Sequence, residues 1–187
     1  QLFTDLPEVE WVTGTPTTYD ERGRANRVTP IRQWSKFHFY TRDYRWVQQE
    51  STAWRSKLWH RAGGQFPHDT ALAGDFGLWT IFFRHAKLYS FNGHVGGFRS
   101  RSSNQLSHDF QRYHAECNQL ITEELRRLPV GDLSALKKIK LANGLLKVLR
   151  GVKFFNHQAA RKFFERQWYN VPPMIRYDFK SNRYYLT

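Results

Sequence analysis

Apolar positions fall in short runs up to about residue 50 and recur at helical spacing over several longer stretches after it. Residues 3–7 read as the end of a helix or its loop, and residues 9–13 as a short strand. Residues 15–27 are turn-rich, residues 28–39 suggest an irregular strand, and residues 44–49 another extended piece. Ser51 is a suitable N-cap for a helix in which Trp54, Leu58 and Trp59 recur up to Ala62, with Gly63-Gly64 as its stop. A second helix is expected over residues 73–85, where Phe76, Trp79, Ile81, Phe82 and Phe83 make a broad apolar face. Residues 88–91 are strand-like, 93–97 form a turn and 98–101 an extended piece. A long polar helix follows over residues 108–127, ended before Pro129. Residues 134–150 place Leu136, Ile139, Ala142, Leu145, Leu146 and Leu149 on one side of a helix closed by Gly151. Lys137, Lys138, Lys140, Lys147 and Arg150 lie mostly around its flanks. A further helix runs through Phe155, Ala159, Phe163, Phe164 and Trp168 to Pro172-Pro173, and residues 175–179 with 183–186 read as a β-hairpin. This order of strands and helices is α/β in character.

Composition agrees with a packed core: 40% of the 187 residues are hydrophobic and 17% aromatic, too much for a disordered tail. The size suits one domain, with room for an appendage. No apolar run reaches the roughly 18 residues that a single membrane-spanning helix needs. Lys and Arg total 29 against 16 Asp and Glu, a net charge of +13. Residues 1–124 hold 15 basic and 13 acidic side chains, whereas residues 125–187 hold 14 basic ones against Asp132, Glu165 and Asp178. The charge therefore describes a nearly neutral body, residues 1–124, and a basic helical extension, residues 125–187. Cys117 is the only cysteine, which excludes an internal disulfide and a thiolate zinc site and points to a reducing compartment. Gln1 at the start, with the single Met at position 174, is read as a processed or truncated product.

Three stretches have the residue types that chemistry needs. In Gly74-Asp75-Phe76-Gly77-Leu78-Trp79, one carboxylate opens an otherwise hydrophobic helix. Asp75 is either an N-terminal capping group stabilised by free amides and the helix dipole, or a general base displayed at the mouth of a cleft. In residues 96–107, glycines, Arg99, Arg101, hydroxyls and Gln105 share one loop, which suits either a diphosphate or plain solvent. In residues 46–55, Gln48, Gln49 and Glu50 lie between Trp46 and Trp54. Stacking faces beside amides and a carboxylate suit a sugar, and the same residues suit a core strand leading into a helix. The eight histidines form no metal signature. No phosphate-binding glycine loop, Gly-x-Ser-x-Gly elbow or Cys-His pairing occurs, which disfavours nucleoside-triphosphatase, hydrolase and thiol chemistry.

Taken in order, these stretches resemble the second half of bacterial family 2 glycosyltransferases of the GT-A fold. Pro7-Glu8-Val9-Glu10-Trp11-Val12-Thr13-Gly14 resembles the strand region after that family's nucleotide-binding half. Tyr44-Arg45-Trp46-Val47-Gln48-Gln49-Glu50-Ser51-Thr52, then Trp54-Arg55, Leu58-Trp59 and Ala62-Gly63-Gly64, resembles its segment ending in Arg-Arg and Gly-Gly. Gly74–Trp79 resembles the motif Glu-Asp-aromatic-x-Leu-Trp, and Gly97-Phe98-Arg99 with Gln105 and Ser107 resembles its closing active-site loop. The likeness covers about residues 5–115, and several motifs in order make it more specific than any one.

The resemblance implies the mixed-sheet portion of a GT-A nucleotide-diphospho-sugar transferase, followed by basic amphipathic helices and a C-terminal hairpin. It implies a glycosyltransferase of polysaccharide biosynthesis, inverting, with Asp75 as the base that deprotonates the acceptor hydroxyl. Gln48, Gln49, Glu50, Trp54, Gly74 and Gln105 would line the substrate pocket, and Arg99 and Arg101 would offset charge on the leaving diphosphate. Partners would be a nucleotide-sugar donor and a glycan or lipid-linked acceptor, in the cytoplasm or at the inner face of the membrane. A divalent metal, Mg or Mn, is implied, but its Asp-x-Asp motif and the donor-nucleotide half would lie before Gln1, leaving this chain alone inactive. Two departures stand out: Gly74 replaces a common glutamate, and Arg101 replaces a histidine often found after the loop arginine.

The resemblance does not reach the basic third. Its amphipathic helices either rest on an anionic lipid surface or pack their apolar faces on the body and leave the lysines in water. A nucleic-acid or anionic-polymer binding module acting through residues 125–187 is the alternative from another class. The near-neutral body and the lack of a recognisable binding motif weigh against it. A non-catalytic membrane-surface scaffold is a third.

Overall fold

Strand β1 (Trp11–Thr13) is buried along its whole length and organises the molecule. In the computed structural model, which describes residues 1–43, 47–67, 70–101, 109–152 and 156–187, it pairs antiparallel with β4 (Thr52–Trp54) and parallel with β5 (Leu88–Ser90). Because side chains alternate across a strand, Trp11, Trp54 and Leu88 face one side of this sheet. Val12, Ala53 and Tyr89 face the other. A second small sheet has the order β3 (Ala25–Val28), β2 (Thr17–Tyr19), β6 (Phe98–Arg99), also with one antiparallel and one parallel pairing. The architecture is thus mixed α/β.

Helix α4 (Gly74–His85) covers the Trp11 face. The Trp79 ring stacks on Trp11 at 5.2 Å, while Phe82 and Phe83 meet the same indole edge-on. Helix α5 (Phe110–Arg126) lies behind α4, joined by the buried Glu124, whose carboxylate accepts from Arg84 Nε at 3.0 Å. Helix α6 (Val130–Val148) adds Leu136 and Ile139 to the same core, and Tyr169, after α7 (His157–Trp168), adds its ring. Of the two packings open to the lysine-rich helix, its inward face therefore takes the one against the body.

The opposite face of the sheet is closed by α1 (Leu2–Asp5) and by the hairpin β7 (Ile175–Asp178)–β8 (Arg183–Leu186). Leu6, Val9, Val12 and Ile175 form a second buried cluster there. Arg55 fixes α1 by donating to the carbonyls of Val9 and Phe3 while its guanidinium lies over the Phe3 ring.

Several local expectations change. Of residues 28–39 only Val28 belongs to a strand, as the end of β3: a five-residue helix, α2 (Lys36–Tyr40), forms because the Ser35 hydroxyl accepts Phe37 N–H at 3.1 Å and His38 Nδ1 accepts Ser35 N–H at 3.1 Å. The reciprocal cap lets Phe37, Phe39 and Tyr40 enter the core. The turn-rich residues 15–27 are a hairpin, with Gly23 at φ +79° in its turn. Ser51 caps no helix. It closes a 3₁₀ turn (Gln49–Ser51), the next three residues join the sheet as β4, and α3 (Ser56–Arg61) begins only after Arg55. Gly63 and Gly64 end that helix at positive φ, as expected. Leu145, placed with the buried side of its helix, points outward. Of residues 44–49, the first three lie outside the described residues, as does Phe155.

Glu10, beside β1, is a strongly displaced carboxyl. The Arg61 hydrogen bond lowers its pKa from an ordinary 4.5 to about 2, against opposing burial and with help from Lys57 Nζ at 2.7 Å. The lowered value means the unfolded chain takes up the proton first, so the stabilisation is complete above about pH 4.5 and is lost as pH falls towards 2. Glu10→Gln is expected to cost on the order of 1–2 kcal/mol at neutral pH, discounted for the half-exposed cations. Urea unfolding should show that cost shrinking towards acid pH; an unchanged cost would place the loss elsewhere.

Candidate active site

Helix α4 begins without a capping side chain at its own N-cap, Ala73. The segment entering it is held from α5: Glu116 Oε2 accepts the amides of Ala71, Leu72 and the N-cap Ala73 at 3.1, 2.9 and 2.9 Å. Burial pushes the Glu116 carboxyl up, but those three amides and Arg112 outweigh it and hold it below the usual range. Within the first turn, Asp75 Oδ1 accepts the neighbouring Phe76 amide at 2.7 Å.

Further company for Asp75 comes from α5. The Tyr113 phenol lies near its carboxylate and near the Cys117 thiol one turn on. Burial, followed by the Asp75 charge, raises the Tyr113 phenol far above its ordinary range, so it stays protonated. Burial likewise pushes the Cys117 thiol up to about 12, which makes it a neutral packing group, not a nucleophile. Neither Tyr113 nor Glu116 stood out in the sequence. Only their spacing on the polar helix, with Glu116 and Cys117 three and four residues after Tyr113, hinted that one face turns towards a neighbour.

Next to Gly74 runs a shelf of aromatic rings. Trp54 stacks on Trp59 at 6.5 Å, Trp59 meets Phe66 edge-on at 5.6 Å, and a Cβ on Gly74 would lie 3.9 Å from the Phe66 ring. Trp54, Ser56, Trp59 and Phe66 line a shallow hollow of about 380 Å³, and Phe66 is 43% exposed. Gly74 itself has ordinary room for a side chain, since its nearest neighbour would be Thr70 Oγ1 at 3.6 Å. Gly77 does not: a Cβ there would sit 2.6 Å from Pro67 Cγ. Trp54, Gly74 and Asp75 therefore share one neighbourhood, with Trp59 and Phe66 as further members that the sugar-binding reading of Trp54 did not include.

A second neighbourhood gathers Gln48, Gln49, Glu50 and Arg99. Gln48 is buried and fully engaged: Nε2 donates to Thr17 O at 2.7 Å, while Oε1 accepts Thr17 N–H at 2.8 Å and the Ser51 hydroxyl at 2.6 Å. Gln49 and Glu50 are exposed on the 3₁₀ turn, which packs directly on the Gly96-Gly97 loop. Ser51 Oγ donates to Gly96 O at 3.0 Å. A Cβ on Gly96 would lie 2.4 Å from Glu50 O, and one on Gly97 would lie 2.6 Å from Thr17 O. These approaches require glycine for space. Arg99 leaves β6 exposed and donates to the Glu21 carbonyl; Arg101 follows, also exposed. His94 adds a pair of bonds to this edge, with Tyr19 OH at 2.7 Å and Thr17 Oγ1 at 3.3 Å. Gln105 lies outside the described residues.

The two neighbourhoods are joined by β4, which runs from the 3₁₀ turn straight to Trp54. Gln48 also lines a cleft of about 670 Å³ against the β2–β3 hairpin and α7. Two of its arginines are met by carboxylates, Arg32 by Asp43 at 2.7 Å and Arg161 by Glu165 at 3.0 Å. Among the described residues no group of three or more His, Cys, Asp or Glu side chains is gathered to hold a metal ion. Compared with known protein families and with curated proteins, the chain matches none.

Proposed function

We propose that this chain forms the acceptor side of an inverting, nucleotide-sugar-dependent glycosyltransferase of the GT-A type, with Asp75 as its general base. The observation that carries this reading is the division of labour at the head of α4. Glu116 takes the amides of Ala71, Leu72 and Ala73 that lead into the helix, Asp75 lies in its first turn facing Tyr113 of α5, and its neighbour Gly74 abuts an open aromatic shelf. A base needs orientation and access to substrate, and a carboxylate next to such a shelf suits both. An acceptor sugar would stack an apolar ring face on the shelf and bring one hydroxyl to Asp75.

The chemistry is a single displacement. The acceptor hydroxyl gives its proton to the Asp75 carboxylate as its oxygen bonds to the anomeric carbon of the donor. The bond from that carbon to the diphosphate oxygen breaks, and the nucleoside diphosphate leaves with the electron pair. Tyr113 is assigned as a positioning residue, because its protonated phenol lies near the Asp75 carboxylate and can donate to it. Arg99 and Arg101 are assigned to the leaving diphosphate, and Glu50 and Gln49 to sugar hydroxyls. On this reading the donor-nucleotide site and its Mg or Mn belong to residues upstream of Gln1.

The acceptor side can be tested without a donor. Saturation-transfer NMR with a panel of neutral oligosaccharides should give signals from at least one of them, weakened several-fold in Phe66→Ala. Phe66 is exposed, so its loss leaves the core intact. No transfer from the protein to any oligosaccharide, or equal transfer in the variant, would overturn the shelf as an acceptor site.

A further inference from the structure

Helix α6 is apolar on two opposite sides. Leu136, Ile139, Ala142 and Leu146 are buried on the inner one. At 100° per residue, Val130, Leu141, Leu145 and Val148 fall on the reverse side, with Leu133 at its margin. Val130 is 83% exposed, Leu141 76% and Val148 78%. Lys137 sits within this outer stripe; Lys138, Lys140 and Lys147 flank it, all exposed. The only carboxylate of the helix, Asp132, is turned away to Lys36 at 2.5 Å. The outer face is thus a band of branched aliphatic side chains bordered by cations, on a helix about 28 Å long by its rise per residue.

An exposed aliphatic stripe of this kind is costly in water and marks a contact surface. Its bordering charge selects the partner. A protein groove would have to supply carboxylates on both sides of an apolar slot, whereas an anionic bilayer offers both features everywhere along its surface. Lysine stems extend their ammonium groups to headgroup phosphates while the aliphatic band enters the acyl boundary. The inner face holds α6 flat against the body, so it would lie along the membrane plane. No helix of the described residues is long and apolar enough to cross a membrane. We infer that the outward face of α6 docks this protein on an anionic phospholipid surface. The inference is independent of the sugar-transfer reading, because vesicle binding needs neither donor nor acceptor.

Co-sedimentation of the whole chain with two vesicle types tests it. Vesicles of phosphatidylcholine containing about one-third phosphatidylglycerol should bind the protein, vesicles of phosphatidylcholine alone should not, and added salt should weaken the binding. Lys137→Gln/Lys138→Gln/Lys140→Gln should lower the partition by about fivefold per lysine removed. Leu141→Gln/Val148→Gln, which keeps the charge, should lower it as well. A second readout places the contact: Cys117 is buried, so Leu141→Cys can carry an environment-sensitive dye. Its emission should shift to the blue on the mixed vesicles, while the same dye on Phe179→Cys, exposed on the hairpin, should not respond. Equal binding to both vesicle types, unchanged binding of both multiple variants, or a dye response caused by self-association without lipid would each overturn the inference.

Discussion

Asp75→Asn is expected to lower sugar transfer by the full-length protein by about 10²–10⁴-fold while leaving its unfolding transition where it was. The asparagine keeps an oxygen at Oδ1 for the Phe76 amide and loses only the ability to accept a proton. The entry to α4 is held separately, because the amides of Ala71, Leu72 and Ala73 ahead of position 75 are taken by Glu116. The complementary change separates the two roles: Glu116→Gln should lower stability by about 1 kcal/mol, the scale of a lost cap, and affect transfer far less than Asp75→Asn does. Steady-state transfer rates and urea midpoints for both variants decide the matter. Near-wild-type turnover in Asp75→Asn would falsify the general-base assignment.

Trp79→Ala should be the most damaging single substitution in the core, with a loss of about 3–5 kcal/mol and a thermal midpoint lower by on the order of 10 °C. Trp79 is buried against Trp11 at 5.2 Å, Trp54 at 5.7 Å and Phe82 at 5.8 Å, so one truncation strips a ring contact from the sheet, the shelf and its own helix. Its indole Nε1 has no hydrogen-bond partner among the described residues. The loss is therefore one of packing and burial, and Trp79→Phe, which removes the unpartnered N–H along with part of the ring, should cost much less. Equal destabilisation by both changes would mean that the N–H has a partner after all. Because Trp54 leans on Trp79, Trp79→Ala should also loosen the aromatic shelf.

Where local chemistry decides the outcome, the sequence foretold it. Helix α4 opens at Gly74 and ends at His85 within a residue of expectation, since a small residue, a carboxylate and a long aromatic run all agree there. The C-terminal hairpin and the stop at Gly63-Gly64 were legible for the same reason. Helix α2 was hidden because its cap pairs Ser35 with a histidine instead of Glu or Gln, within a run of aromatics that also suits a strand. Strand β4 was absorbed into a helix because Ser51 has the chemistry of a cap. Only the presence of β1 at hydrogen-bonding distance makes residues 52–54 extended.

The candidate site divides in the same way. Asp75 and Trp54 were visible as unusual residues in their own segments, but what surrounds Asp75 was not. Its Tyr113 partner comes from a different helix, and Glu116 reaches back more than 40 residues to the amides before α4. The sequence names a carboxylate; tertiary packing distributes the work between two. Leu145 shows the converse limit. Leucine at a helical repeat suggests burial, and nothing in the spacing tells that the neighbouring surface is solvent.

The back of the central sheet has a further consequence, for synthesis on the ribosome. Its cover is built from the two ends of the chain: Tyr184 N–H donates to the Asp5 carboxylate at 2.9 Å across a separation of 179 residues, and Gln1 reaches the carbonyl of Asn182. Contacts so distant in sequence form late. While the chain is being made, β1 emerges long before Ile175, so the surface of Val9 and Val12 must wait for the hairpin. Until that hairpin has left the ribosome, the nascent protein carries a naked apolar patch, and it is in that interval that this face is most exposed to aggregation and most in need of a chaperone.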